Sequence, residues 1–210
     1  AQGPPPSALI DGMGRRVSYL RLSVTDRCDL RCAYCMPERM QFLPKTDILS
    51  FEELVKLVDG FIARGITKLR ITGGEPLVRR DVMQLLEHLS RRLGAIGLKE
   101  ISLTTNGTRL EHFAEDLKRL GIERINVSLD TLSPEMFQRV TRKDQFEMVM
   151  RGIAKARDVG LRIKINTVAL RNINEDEIPE IIEWAHRQAF DVSLIETMPL
   201  GEGVAAREDH

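Results

Sequence analysis

From Tyr19 onward, apolar residues follow two alternating rhythms. Six short runs are rich in Ile, Val and Leu: 19–24 (YLRLSV), 68–72 (KLRIT), 99–104 (KEISLT), 124–129 (RINVSL), 162–168 (RIKINTV) and 191–196 (DVSLIE). Such runs suit strands of a buried parallel sheet. Between them apolar residues fall at helical spacing. Leu54, Val55, Val58, Phe61 and Ile62 follow the capping-box string Ser50-Phe51-Glu52-Glu53, and Gly65 stands at the expected stop. A second helix is predicted over 81–93 from Val82, Leu85, Leu86 and Leu89, before Gly94, and a third ends near Gly121. Ser133-Pro134 reads as a cap followed by a first-turn proline, and Phe146, Val149, Met150 and Ile153 form a stripe running toward Gly160. The last helix is ambiguous, because capping by Asn174 would place Pro179 inside it. Strand then helix, six times over, predicts an α/β fold with a parallel sheet and helices outside it. Periodicity leaves an open doubly wound sheet and a partial barrel as alternatives. Residues 1–16, with three consecutive prolines, are read as a flexible lead-in, and 17–200 as the core.

Charge narrows the partners. Lys plus Arg and Asp plus Glu are both 31, a balance that argues against a chain that coats nucleic acid. No apolar run approaches the length of a membrane span, and no leader pattern opens the chain. The three cysteines, Cys28, Cys32 and Cys35, lie within eight positions, an odd and clustered set that suits a metal centre better than a disulfide framework. This favours a reducing compartment, and the cytoplasm is expected. C-x3-C-x2-C on the loop after the first strand offers three thiolates, the usual ligands of iron–sulfur clusters. Three ligands on a four-iron cubane leave one iron open to chemistry. A zinc site lacking its fourth ligand and unrelated buried thiols are the bland alternatives, and no downstream cysteine pair supports the first.

In barrels of this kind, functional residues sit at the C-terminal ends of strands. Thr72-Gly73-Gly74-Glu75-Pro76, Thr104-Thr105-Asn106-Gly107, Ser128-Leu129-Asp130 and Met198-Pro199 all follow predicted strands. Taken alone, each also reads as a turn, a cap or a core methionine. Arg21, Arg70 and Lys164 are charges inside three separate strands. They either line a cationic pocket suited to phosphate or face outward to helix carboxylates. The four histidines show no mutual spacing and read as surface residues.

C-x3-C-x2-C with Tyr34 before the last cysteine resembles the radical S-adenosylmethionine (SAM) superfamily. That resemblance implies a partial (β/α)6 TIM-like barrel, one 4Fe–4S cluster on Cys28, Cys32 and Cys35, and SAM cleaved to a 5′-deoxyadenosyl radical. The strings YLRLSVTDRC, CMPE, LRITGGEPLVRRD, TTNG, NVSLDTL, KINTV and IETMPLG, in this order over about residues 10–201, resemble the GTP 3′,8-cyclase family of molybdenum-cofactor biosynthesis. This implies cyclisation of GTP to 3′,8-cyclo-7,8-dihydro-GTP. It also implies a reductant protein such as flavodoxin or ferredoxin, and a downstream cyclic pyranopterin monophosphate synthase. Matching positions give Arg21, Arg70, Thr104 and Lys164 as GTP contacts, and Tyr34, Gly74, Ser128 and Met198 as SAM contacts. Asp29 stands where the family usually has Asn. The family also has a C-terminal region with a second cluster and a glycine pair. Residues 201–210 are read as the start of that region, and the chain without it is expected to bind SAM and a cluster but to cyclise GTP poorly. A radical SAM enzyme acting on a peptide and a barrel serving only as a binding scaffold are the competing readings.

Overall fold

A computed structural model describes residues 8–37, 39–95 and 97–197. The chain alternates strand and helix: β1 (Tyr19–Ser23), α1 (Phe51–Ala63), β2 (Lys68–Thr72), α2 (Val82–Ser90), β3 (Glu100–Thr105), α3 (Leu110–Arg119), β4 (Arg124–Ser128), α4 (Pro134–Thr141), α5 (Phe146–Asp158), β5 (Arg162–Ala169), α6 (Ile178–Arg187) and β6 (Asp191–Glu196). The six strands pair in chain order, all parallel, and the sheet does not close: β1 and β6 are its edges. This is the partial TIM-like barrel.

Strand alternation sorts the residues onto two faces. One face carries Leu22, Leu69, Ile71, Ile101, Leu103, Ile125, Val127, Ile163 and Ile165, all buried in a single core with Leu54, Leu85, Leu117, Val149 and Ile181 from the helices. The register places Arg21 beside Arg70, Arg70 beside Ser102, and Thr104, Asn126 and Lys164 side by side on the opposite, concave face. The outward reading of Arg21, Arg70 and Lys164 therefore does not hold, because the helix-facing positions of those strands are taken by Leu and Ile.

Local signals decide the helix limits. The Ser50 capping box forms in both directions: Glu53 N donates to Ser50 Oγ (3.2 Å) and Ser50 N to Glu53 Oε2 (2.8 Å). α2 stops at Ser90, short of the predicted Leu93. Ser133 caps α4, accepting from Met136 N at 3.2 Å with Pro134 in the first turn. α4 and the stripe around Phe146 are separate helices, broken where Arg142 turns left-handed (φ 57°). Pro179 lies in the first turn of α6, which starts late, after a 3-10 turn over Glu175–Glu177. Within the lead-in, Ile10 bridges Arg16 around a turn closed by Asp11, and Leu9 N donates to Arg64 O beside α1.

Candidate functional site

The three cysteines lie on the long connection from β1 to α1, at the C-terminal end of the barrel. Parallel pairing sets that location, since every strand ends at the same rim. The connection is pinned from several sides. Arg31 N and Ala33 N donate to Thr141 O and Val140 O at the end of α4, at 3.0 and 2.9 Å. Leu43 N donates to Asp26 Oδ2 at 2.6 Å, and the guanidinium groups of Arg27 and Arg31 both stack on the Phe42 ring, 5.3 and 5.2 Å from its centroid.

Gly73 and Gly74 close the loop from the β2 side. Gly74 N donates to Thr25 O (2.7 Å) and Glu75 N to Arg27 O (2.8 Å), so the two rim segments run backbone to backbone. A Cβ on Gly73 would lie 2.6 Å from Thr25 O, and one on Gly74 only 2.4 Å from Arg27 O. The resemblance implies a SAM contact at Gly74, and glycine lets two backbones come close. The approach observed is to the cysteine-bearing backbone itself.

Three buried polar residues organise the rim. Glu75 is fully buried and accepts from Leu77 N (2.9 Å), Thr105 Oγ1 (2.9 Å) and Asn106 N (2.6 Å), tying the β2 end to the β3 end. Burial lifts its carboxyl to about 7, against the pull of those donors. Asp130 accepts from the Tyr34 hydroxyl (2.7 Å) and from Val168 N (2.8 Å), binding the cysteine loop to β4 and β5. Burial raises the Asp130 carboxyl, and the two donors oppose the rise. Asn174, predicted as a possible helix cap, caps nothing. Its amide donates to Asp130 O and Val168 O and accepts from Leu170 N, at 2.7, 2.9 and 2.8 Å. The sequence offers signals for Glu75 and Asp130, each a carboxylate at the end of an apolar strand, but their partners come from distant segments.

The cysteines sit close enough that Cys32 feels the charge of both Cys28 and Cys35. Burial pushes the Cys28 thiol up to about 11 and Cys32 to about 12, with Asp130 adding to the latter, and burial also raises Cys35. Asn106 Nδ2 lies 3.7 Å from Cys28 Sγ and donates to Asp29 Oδ1 at 2.7 Å, while Thr108 Oγ1 donates to Asp29 Oδ2 at 2.6 Å. The Asp29 carboxylate is thus held by two donors beside Cys28. No group of three His, Cys, Asp or Glu side chains among the described residues could hold a single metal ion. Three neighbouring thiols with no fourth ligand fit a cluster that uses one thiolate per iron. They do not fit a mononuclear zinc site, which wants four closely converging donors.

The positions named from the sequence divide as follows. Cys32, Tyr34 and Ser128 line one small cavity with Asp130 and Asn106. Gly74 adjoins them through Glu75, whose carboxylate reaches Asn106. Arg21, Arg70, Thr104 and Lys164 share the concave face below. Arg70 lies over the Tyr19 ring (5.3 Å), and its Nε is buried without a hydrogen-bond partner. None of Arg21, Arg70 and Lys164 forms an ion pair with a described residue. Met198 lies outside the described residues, as do 201–210. Of the histidines, His88 packs against Phe51 (5.5 Å between ring centroids), while His112 and His186 are exposed. No described helix is long and apolar enough to cross a membrane.

Comparison with known proteins agrees with this geometry. The chain is 60% identical over 203 residues to the GTP 3′,8-cyclase of Erythrobacter litoralis, covering 97% of this chain and 61% of the relative. It is 57% identical over 201 residues to the GTP 3′,8-cyclase of Nitrobacter winogradskyi, covering 96% and 59%. The chain thus spans about three fifths of the length of these curated relatives. Among solved structures it shares its fold with Streptococcus suis SuiB bound to S-adenosylmethionine (TM-score 0.71, 19% identity, 87% of this chain and 41% of that one). It also shares its fold with anSMEcpe with bound AdoMet (TM-score 0.70, 21% identity, 86% and 51%). Residues 22–185 match the Radical SAM superfamily, so this chain belongs to that superfamily, whose members imply a 4Fe–4S cluster and SAM as cofactors.

Proposed function

We propose that this chain is the cluster- and nucleotide-binding barrel of a GTP 3′,8-cyclase. The observation that carries the reading is the pairing of two features in one fold. A pinned three-cysteine loop sits on the barrel rim, and beneath it lies a concave face with unpaired cations from three strands. Identity of 57–60% to curated cyclases supports the choice among radical SAM chemistries.

Cys28, Cys32 and Cys35 would hold a 4Fe–4S cluster with one thiolate per iron, which leaves one iron without a protein ligand and open to SAM. When bound, the cluster and SAM supply a carbon-centred radical able to remove a hydrogen atom from the substrate. The protein's own work is placement. Tyr34, on the cluster loop and fixed on Asp130, and Ser128, at the end of β4, line the small cavity beside Cys32 and would contact SAM, and Gly74 and Met198 complete that set by matching position. Asn106 directs an amide N–H at Cys28 Sγ, the kind of contact that tunes a cluster's potential. Arg21, Arg70 and Lys164 would hold the triphosphate, by forked guanidinium contacts and by a point charge, with Thr104 as a hydroxyl contact. A shape set by the barrel wall holds the nucleotide against the rim, so that the reacting carbon is presented without diffusion. A reductant protein such as flavodoxin or ferredoxin would supply the electron, and a cyclic pyranopterin monophosphate synthase would take the product.

Equilibrium binding tests the substrate. The anaerobically reconstituted chain should bind GTP more tightly than guanosine, and Arg70→Ala should abolish most of that difference. Equal affinity for the two would contradict a phosphate-reading pocket and favour a peptide-directed radical SAM enzyme.

A further inference from the structure

The concave face carries more cationic charge than the three residues read from the sequence. The register continues from Arg21 and Arg70 through Ser102 to Arg124 and then Arg162, one transverse row across five strands. Arg124 and Arg162 alternate with Ile125 and Ile163, which are buried against the helices, so both belong to the concave side. They occupy adjacent strands, about 4.8 Å apart, and Arg162 lies two residues from Lys164, roughly 7 Å along β5.

Counter-charge on this face is sparse. Lys68 is matched by Glu100 at 3.7 Å, and Asp191 is the register neighbour of Lys164. Neither Arg124 nor Arg162 forms a salt bridge or a side-chain hydrogen bond with a described residue, and the Nε of Arg70 in the same row is buried and unpartnered. Like charges gathered on a concave wall in excess of its carboxylates oppose folding unless an anion neutralises them, and such a wall concentrates an anionic ligand. Forked guanidinium groups on neighbouring strands suit phosphate oxygens.

We propose that Arg124 and Arg162 form a terminal-phosphate subsite. They take the distal phosphate of a nucleoside triphosphate whose nearer phosphates meet Arg21, Arg70 and Lys164. The row then acts as a length gauge, selecting a triphosphate over a monophosphate. This rests on the nucleotide reading above.

The test is equilibrium binding of GTP and GMP to the anaerobically reconstituted chain and to Arg124→Gln, Arg162→Gln and the two Arg→Lys variants, with thermal melts as a folding control. Loss of a charge-assisted contact is expected to weaken GTP binding about tenfold or more. GMP affinity should be unchanged, and the Lys variants should recover part of the loss. Variants that melt like the parent and retain its preference for GTP over GMP would overturn the subsite. If those same variants left GTP binding intact while Arg21→Ala weakened it, only this inference would fall. If the unmodified chain bound neither nucleotide, the underlying substrate reading would fall with it.

Discussion

Replacing Gly74 by Ala separates two roles for the glycine pair. The added Cβ would lie 2.4 Å from Arg27 O, 2.7 Å from Arg27 C and 2.8 Å from Asp26 O. All three are backbone atoms, so no side-chain rotation relieves the clash, and the two rim segments must part by the better part of an ångström. Parting breaks or stretches two hydrogen bonds, Gly74 N to Thr25 O and Glu75 N to Arg27 O. Overpacking costs about 1–3 kcal/mol and each of the two lost hydrogen bonds about 0.5–1.5, giving a total of about 2–6 kcal/mol. In a chain of this size that lowers the melting temperature by roughly 4–24 °C. Cys28 follows Arg27 directly, so the displacement carries into the cluster loop. Gly74→Ala should therefore melt early as apoprotein and take up less than the parent's iron and sulfide on anaerobic reconstitution, with SAM absent throughout. If the variant melted like the parent, took up a full cluster and lost only SAM binding, Gly74 would act as a ligand contact and the steric argument would be wrong.

Three further outcomes follow from the rim. Glu75 has a folded pKa raised to about 7 from an ordinary 4.5, so its contribution to stability is full below the unfolded value and is lost as pH rises through about 4.5 to 7. The shift corresponds to about 3 kcal/mol at most, and urea melts of the apoprotein across that window should show the decline; a Glu75→Gln variant with the same slope would assign it to another group. Tyr34→Phe leaves Asp130 with Val168 N as its remaining donor, and should cost about 1–3 kcal/mol in the same melts. A loss within error would mean that the hydroxyl contributes nothing to anchoring the loop. Asn174→Ala strands Leu170 N and two carbonyls in the interior and should destabilise by about 3 kcal/mol. Asn174→Asp keeps the acceptor but loses both donated bonds, and should fail to restore the parent melt.

The strand positions were legible because most of their helix-facing residues are Leu, Ile and Val. The limits of β2 and β6 agree with the reading, β3 is shifted by one residue at both ends, and the others differ by one residue at the C-terminal end. The polar face was legible only where a charge broke an apolar run, as with Arg21, Arg70 and Lys164. Arg124 and Arg162 stand first in their strands, where a charge reads as an ordinary strand end, and only the register joins them to the row. Glu75 and Asn174 were visible as residues but not as pins, because their partners lie in other segments: Glu75 reaches Thr105 and Asn106, and Asn174 reaches back to Asp130. Asn174 also shows how a good capping residue can be drawn inward when buried carbonyls need a donor. The break between α4 and α5 rests on a left-handed Arg142, a residue with no special preference for that conformation.

The central claim is that the cysteine loop and the cationic face serve one reaction. The most direct measurement is 5′-deoxyadenosine release by the anaerobically reconstituted chain with SAM and dithionite, with and without GTP. The account predicts release that rises when GTP is added and that disappears in Cys32→Ala. A full cluster that cleaves no SAM under either condition, or cleavage indifferent to GTP, would contradict it.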